Sequence, residues 1–112
     1  MPAAFTKVTG ELHWHTLLRA RAIENGCFVF AAAQAGLHEN KRETYGHSLI
    51  IAPWGEVLAE GGTEPGVFMA KIDPARVEAA RKSVPSLQHG RRFSVADPKA
   101  GPEHLHLVRG SA

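Results

Sequence analysis

The sequence predicts an α/β (α+β) fold with a mixed sheet and two main helices. Three observations lead to this prediction. A helical pattern over residues 9–25 runs directly into an apolar segment, a strand–turn–strand pattern surrounds a Pro-Trp-Gly turn at 53–55, and a second helix signal begins at 73–74. In a chain of 112 residues, such an order of helix and strand signals is typical of one layered domain or of part of a larger one.

The first predicted helix covers residues 9–25. Thr9 is a residue type that caps helix starts, Glu11 suits the positive end of the helix dipole, and Gly26 is a typical helix stop. The helix has a wide apolar surface, which predicts contacts on more than one of its sides. The residues of this surface are Leu12, Leu17, Leu18, Ala20, Ala22 and Ile23.

Strands are predicted for the middle of the chain. The apolar run 27–34 is typical of a strand that is covered on both faces. The polar segment 36–43 then predicts a loop, and segments 45–52 and 56–60 predict a hairpin around the Pro-Trp-Gly turn. A glycine-rich turn leads to the last predicted strand, 67–72.

The second helix is predicted over 75–84, because Asp73 can cap it, Pro74 suits its first position and Pro85 ends it. From residue 86 onward, glycine and proline interrupt the chain and periodicity is weak. We therefore assign 1–93 to the folded body and 94–112 to an extended C-terminal tail.

The predicted elements leave apolar surface without cover. Two helices cover one face of a sheet of about four strands, whereas the apolar run 27–33 requires cover on both faces. The sequence therefore predicts an exposed sheet edge and an apolar patch, which proteins normally bury against a partner. This pattern is expected of one part of a larger assembly.

Composition excludes several functional classes. The net charge is +2, and the basic pairs at 81–82 and 91–92 lack interleaved aromatic residues, so no nucleic-acid partner is predicted. No apolar run reaches the roughly 20 residues of a membrane span, and the N-terminus lacks the regions of a signal peptide. The single cysteine fits a reducing compartment. A cytoplasmic protein without membrane contact is predicted.

The residues that could carry chemistry do not form a site by their spacing. Cys27 follows a helix C-terminus, where the dipole disfavours a thiolate, so a core role is predicted for it. His13 and His15 point to different sides of their helix, and no His-Glu-x-x-His or Cys-Cys pair anchors zinc. Ser48 lacks a Gly-x-Ser-x-Gly elbow. No metal, no cofactor and no independent cysteine or metal hydrolase are predicted.

A family resemblance extends over residues 2–93, and four motifs are among those that carry it. In chain order they are Pro2-Ala3-Ala4-Phe5-Thr6, Leu18-Arg19-Ala20-Arg21-Ala22-Ile23-Glu24-Asn25, Tyr45-Gly46-His47-Ser48 and Pro53-Trp54-Gly55-Glu56-Val57. Together they resemble the C-terminal half of carbon–nitrogen hydrolases of the nitrilase superfamily. Within it, the pattern is most similar to Nit-type amidases that act on deaminated glutathione or ω-amides. Ala35 departs from the pattern, since related sequences often have cysteine there.

The resemblance implies a fold and a chemistry. The fold is the C-terminal half of a four-layer αββα sandwich. The chemistry is attack on a small amide or nitrile by a cysteine, with a glutamate base and a lysine that stabilises the tetrahedral intermediate. In the family all three triad residues precede the segment matching 2–5, so no catalytic residue is assigned in this chain. The resemblance places Phe5 and Thr6 at the edge of the substrate pocket.

Two hypotheses follow from the resemblance. In the first, the chain is a fragment of a carbon–nitrogen hydrolase that is inactive alone and needs the missing N-terminal half, because of a misassigned start codon or a truncated or split gene. In the alternative, it is a non-catalytic oligomerisation or binding module derived from the same sandwich. The resemblance also implies a homo-oligomer formed through helix 11–25.

Overall fold

A computed structural model describes residues 1–93, so the predicted tail 94–112 lies outside the described residues. The helices are α1 (Lys7–Thr9), α2 (His15–Asn25) and α3 (Ala75–Ser83); a π-helical segment (Gly10–Trp14) joins α1 to α2, and a 3-10 turn covers Ser86–Gln88. The strands are β1 (Pro2–Ala3), β2 (Val29–Ala33), β3 (Ala35–Leu37), β4 (Glu43–Tyr45), β5 (Leu49–Ile51) and β6 (Val57–Glu60).

The main sheet is mixed and has the strand order β1-β2-β5-β6. β1 runs parallel to β2, with Pro2 opposite Ala32, whereas β5 is antiparallel to both β2 and β6. Phe30 of β2 lies opposite Ile50 of β5. β3 and β4 form a separate antiparallel pair. The predicted α/β fold with a mixed sheet and two main helices is confirmed.

One face of the sheet carries the core. Trp14, Leu18 and Ala22 recur every four residues, so they share one side of the helical stretch and are buried against the sheet. The apolar spacing of the sequence thus determines which helix face packs, and each large side chain buried in this way stabilises the fold by about 1.5–3 kcal/mol. The sheet residues of this core are Ala31, Leu49 and Ile51.

Apolar side chains on other surfaces lack cover within the described residues. Phe30 projects from β2 on the side opposite to the core residue Ala31 and is 51% exposed. On the helical stretch, Leu12 is 68% exposed, and Leu17 and Ile23 are exposed as well. The predicted apolar patch is therefore present, and the helical stretch combines one buried face with exposed apolar side chains outside that face.

The helix boundaries differ from the prediction at one end. The helical stretch begins after Thr6 and not after Thr9, because Thr6 has an extended backbone and its hydroxyl accepts a 3.5 Å hydrogen bond from the N–H of Thr9. The predicted stop at Gly26 is confirmed, with a left-handed φ of 52°. The predicted capping by Asp73 is also present, since its Oδ1 accepts a 3.0 Å bond from the N–H of Ala75.

The predicted strand 45–52 is wrong as a single element. Gly46 and His47 both adopt positive φ angles, 71° and 56°, and this backbone cannot continue a strand. The chain therefore leaves β4 and enters the main sheet as β5. The predicted loop 36–43 is also corrected, because its ends belong to the β3–β4 hairpin.

The predicted strand 67–72 does not form within the described residues. Val67 is 88% exposed, Met69 is similarly exposed, and the segment has no strand pairing there. Its apolar character suits a strand, but a strand requires a neighbouring backbone to complete its hydrogen bonds. The Ser86–Gln88 turn lies within the predicted body 1–93 and follows α3 after two residues.

We predict that Trp14→Phe destabilises the chain by about 2–4 kcal/mol. Trp14 is 1% exposed, so phenylalanine leaves a void and removes the donor of a 2.7 Å hydrogen bond to the carbonyl oxygen of His47. Urea unfolding followed by far-UV circular dichroism measures the change. The matched control is Trp54→Phe, since Trp54 is 57% exposed and its loss is expected to cost about 0.5 kcal/mol or less. Equal effects of the two substitutions would contradict this account of the core.

Candidate functional site

Phe5 and Thr6, the residues that the resemblance places at a pocket edge, connect β1 to α1. Phe5 is partly buried, and its ring centroid lies 5.1 Å from that of Trp14 at an interplanar angle of 58°, a favourable tilted aromatic contact. Thr6 is exposed and caps α1. The core therefore fixes one residue of the edge, and the helix start fixes the other.

The β3–β4 hairpin packs beside this edge in antiparallel register. The N–H of Tyr45 donates a 3.1 Å hydrogen bond to the carbonyl of Phe5, and Thr44 forms a bridge with Thr6. One step further, Lys7 Nζ lies 2.9 Å from Glu43 Oε1. Residues 43–45 of the hairpin thus lie beside residues 5–7 and lengthen the predicted pocket edge.

Sequence reasoning missed this hairpin, although a signal for it exists. Asn40 and Lys41 lie in the turn: Asn40 Oδ1 accepts a hydrogen bond from a backbone N–H two residues later, and Lys41 has a φ of 63°. Asparagine favours such local hydrogen bonds in turns. The Asn40-Lys41 pair is therefore a signal for a hairpin turn, and the polar segment around it is equally compatible with a hairpin and with a loop.

A second polar cluster joins the helical stretch to β6 and to the β4–β5 connection. His15 Nε2 lies 2.9 Å from Glu60 Oε1, and the rings of Tyr45 and His47 stack with centroids 4.0 Å apart. His47 Nδ1 lies 2.7 Å from the carbonyl oxygen of Tyr45. His13 is exposed and outside this cluster. Between residues 1 and 93, no three His, Cys, Asp or Glu side chains converge in a way that could hold a metal ion.

The two candidate nucleophiles have structural surroundings. Cys27 is partly buried in the connection before β2, and its backbone N–H donates a 3.1 Å bond to the carbonyl of Ala22. Ser48 Oγ accepts a 3.0 Å hydrogen bond from the backbone N–H of Ala33, which ties the start of β5 to the end of β2. Neither residue is paired with a base in the part of the chain that the structure describes. Residues 1–93 therefore contain the predicted pocket edge but no nucleophile–base pair.

Comparison with known proteins decides the family. The sequence model of the family described as carbon-nitrogen hydrolase matches residues 1–82. The chain belongs to this family. It is 54% identical over 89 residues to a deaminated glutathione amidase of Synechocystis sp., an alignment that covers 80% of the chain and 33% of that relative. The human deaminated glutathione amidase is 49% identical over 90 residues, which cover 80% of the chain and 28% of the relative.

Solved structures agree with the sequence comparison. The NitFhit protein of C. elegans superimposes with a TM-score of 0.74 at 50% identity, over 79% of this chain and 21% of that one. Nit3 of Saccharomyces cerevisiae, a member of branch 10 of the nitrilase superfamily, gives a TM-score of 0.71 at 40% identity, over 80% of this chain and 33% of that one. The predicted membership in the nitrilase superfamily, with Nit-type amidases as relatives, is confirmed.

The chain spans between 27% and 33% of the length of the curated relatives it matches. The assignment of Phe5 and Thr6 to a pocket edge stays a prediction, since their pocket would involve segments outside this chain. None of the helices within residues 1–93 has the length and apolar character that crossing a membrane requires.

The Lys7–Glu43 pair gives the edge a measurable electrostatic property. The hydrogen bond to Glu43 and the charge of Glu43 raise the pKa of Lys7 above its ordinary value of 10.5, and the charge of Glu11 adds a smaller contribution. The pKa of Lys7 is higher in the folded state than in the unfolded state. The pair therefore stabilises the folded state at a pH below the unfolded-state pKa of Lys7, and this stabilisation is lost as the pH rises through the folded-state pKa.

We predict that Glu43→Gln lowers the pKa of Lys7, because it removes both larger causes of the shift. Glu11→Gln is the matched control, and we expect it to lower the pKa of Lys7 by less. Titration of the Lys7 side chain by NMR above pH 9 measures both changes. The shift should also shrink in 1 M salt, since Lys7 and Glu43 are exposed to solvent. A larger effect of Glu11→Gln would show that the observed pair does not form in solution.

Proposed function

We propose that this chain is the C-terminal portion of a carbon–nitrogen hydrolase that cleaves small amides, and that it is inactive alone. The proposal is carried by the match of residues 1–82 to the family together with the absence of a nucleophile–base pair in residues 1–93. The Glu-Lys-Cys triad implied by the resemblance would lie on a segment outside this chain. Its cysteine would attack the amide carbon, release the amine and form an acyl-enzyme that water hydrolyses.

Relatives support an amide over a nitrile as the substrate. Those with 54% and 49% identity are both deaminated glutathione amidases. We therefore propose deaminated glutathione or a related small amide as the substrate class. In this scheme Phe5 and Thr6 position the substrate, and their rigid contacts to Trp14 and to α1 reduce the cost of orienting it.

The uncovered surfaces of the chain support the fragment hypothesis. The outer face of β2, with Phe30, requires a second layer such as the facing sheet of an αββα sandwich. The exposed apolar side chains of the helical stretch, Leu12 among them, would pack against a second copy of the protein, which gives the expected homo-oligomer. The same surfaces favour the alternative proposal, a non-catalytic oligomerisation or binding module. The cytoplasmic location stays a prediction.

We predict that the purified chain does not hydrolyse deaminated glutathione and that a complemented enzyme does. By complemented enzyme we mean the full chain co-produced with the part of the Synechocystis amidase that its alignment does not cover. In this complex Phe5→Ala should lower kcat/KM about tenfold or more, because substrate orientation is impaired. Cys27→Ala, the control, should leave turnover unchanged within about twofold. The primary amine of the released cysteinylglycine, quantified with an amine-reactive dye, measures the rate.

Two outcomes would contradict this proposal. Turnover by the chain alone that survives Cys27→Ala would show that another residue of this chain acts as a nucleophile. A stable complex without turnover would favour the binding module. Gel filtration with circular dichroism distinguishes that complex from a failure to assemble.

We also predict that Leu12→Lys reduces self-association of the complemented enzyme, because a charge replaces an apolar side chain at the proposed contact between copies. Leu37→Lys is the matched control, since Leu37 is a comparably exposed leucine on the β3–β4 hairpin. Sedimentation velocity over a range of concentrations measures the dissociation constant, which should rise about tenfold or more for Leu12→Lys alone. Equal behaviour of the two variants would place the contact elsewhere.

A further inference from the structure

We infer that Arg42 is a specificity-determining residue that binds a carboxylate of the amide substrate. This inference rests on the proposed hydrolase function and deepens it, because it assigns a residue of this chain to the recognition of the substrate. The observation that carries it is a 2.6 Å hydrogen bond from Arg42 Nη2 to the carbonyl oxygen of Ala4, the residue directly before Phe5.

The antiparallel register shows the course of the Arg42 side chain. Tyr45 is bonded to Phe5, and Glu43 is paired with Lys7, so residue 42 begins beyond Lys7 along the edge. Its guanidinium nevertheless reaches Ala4. The side chain must therefore run alongside the segment 4–7, which places the guanidinium next to the pocket edge.

The hairpin tip holds the backbone of Arg42 in place. The N–H of Arg42 donates a 3.0 Å bond to Asn40 Oδ1, and its carbonyl accepts a 2.9 Å bond from the N–H of His38. The N–H of Lys41 donates a 2.8 Å bond to the carbonyl of His38. Because the backbone of Arg42 is already ordered, less conformational entropy is lost when its side chain binds a ligand.

The charge of Arg42 is available to a ligand, whereas that of Lys7 is already compensated by Glu43. In the described chain no carboxylate forms an ion pair with Arg42. The bond to Ala4 uses one donor of the guanidinium and orients its plane without neutralising it. The remaining N–H groups can bind a carboxylate in the two-pronged geometry typical of arginine.

The test compares a matched pair of amides in the complemented enzyme. Glutaramate carries a terminal carboxylate, and glutaramide has a neutral amide in its place. We expect Arg42→Gln to lower kcat/KM for glutaramate about tenfold or more, mainly through KM, and to change that for glutaramide by less than about twofold. Lys41→Gln removes a charge from the same tip and should leave the ratio of the two substrates unchanged. Arg42→Lys should be intermediate, since it keeps the charge and loses the fork.

A binding measurement keeps the inference independent of catalysis. Glutarate is titrated into the same complex by calorimetry, and Arg42→Gln should weaken its binding about tenfold or more while Lys41→Gln does not. Absence of glutarate binding to the unsubstituted complex, or equal binding to both variants, would overturn the role of Arg42. Arg42-dependent binding without turnover of any amide would support that role and would contradict the proposed hydrolase function instead.

Discussion

The burial of Trp14 is the constraint on which the described fold depends. Its indole fills the layer between the helical stretch and the sheet, contacts the ring of Phe5 and donates its N–H to the carbonyl of His47. One side chain therefore joins the core, the predicted pocket edge and the β4–β5 connection. His47 can hold its positive φ because this bond, together with the stacking on Tyr45, compensates the backbone cost.

Sequence reasoning located the elements that local chemistry determines. Gly26 ends α2 through its own left-handed backbone, and Asp73 caps α3 through its own side chain. The breaks between elements were harder to predict. Thr9 and Thr6 are equally good capping residues by type, but Thr6 has the extended backbone of a cap whereas Thr9 is helical. The division of 45–52 at His47 depends on a tryptophan far away in the sequence, which no local pattern contains.

The candidate site depends even more on contacts between residues that are distant in the sequence, and it was therefore harder to predict. Phe5 and Thr6 could be named because a family motif surrounds them, whereas neither apolar spacing nor charge distinguishes them. Arg42 could not be named, since its bond to Ala4 joins residues separated by 38 positions. Its neighbours in the sequence are polar and charged, and such a run normally indicates a solvated loop. The contacts of the β3–β4 hairpin with Phe5 and Thr6 show that this segment lies beside the predicted pocket edge.

The distribution of exposed apolar surface relates the fold to the proposed function. Hydrogen bonds and an ion pair join residues 4–7 to residues 42–45, so the predicted pocket edge is ordered by the chain itself. By contrast, the apolar side chains of Phe30, Leu12 and Val67 are exposed. Burying them further would stabilise the protein by about 25 cal/mol per Å² of apolar surface. In the proposed enzyme, the predicted pocket edge would therefore have its shape before the remaining layers pack against it. We therefore expect association to supply the nucleophile and the stability, whereas the geometry of the edge is already set by Trp14 and the hairpin.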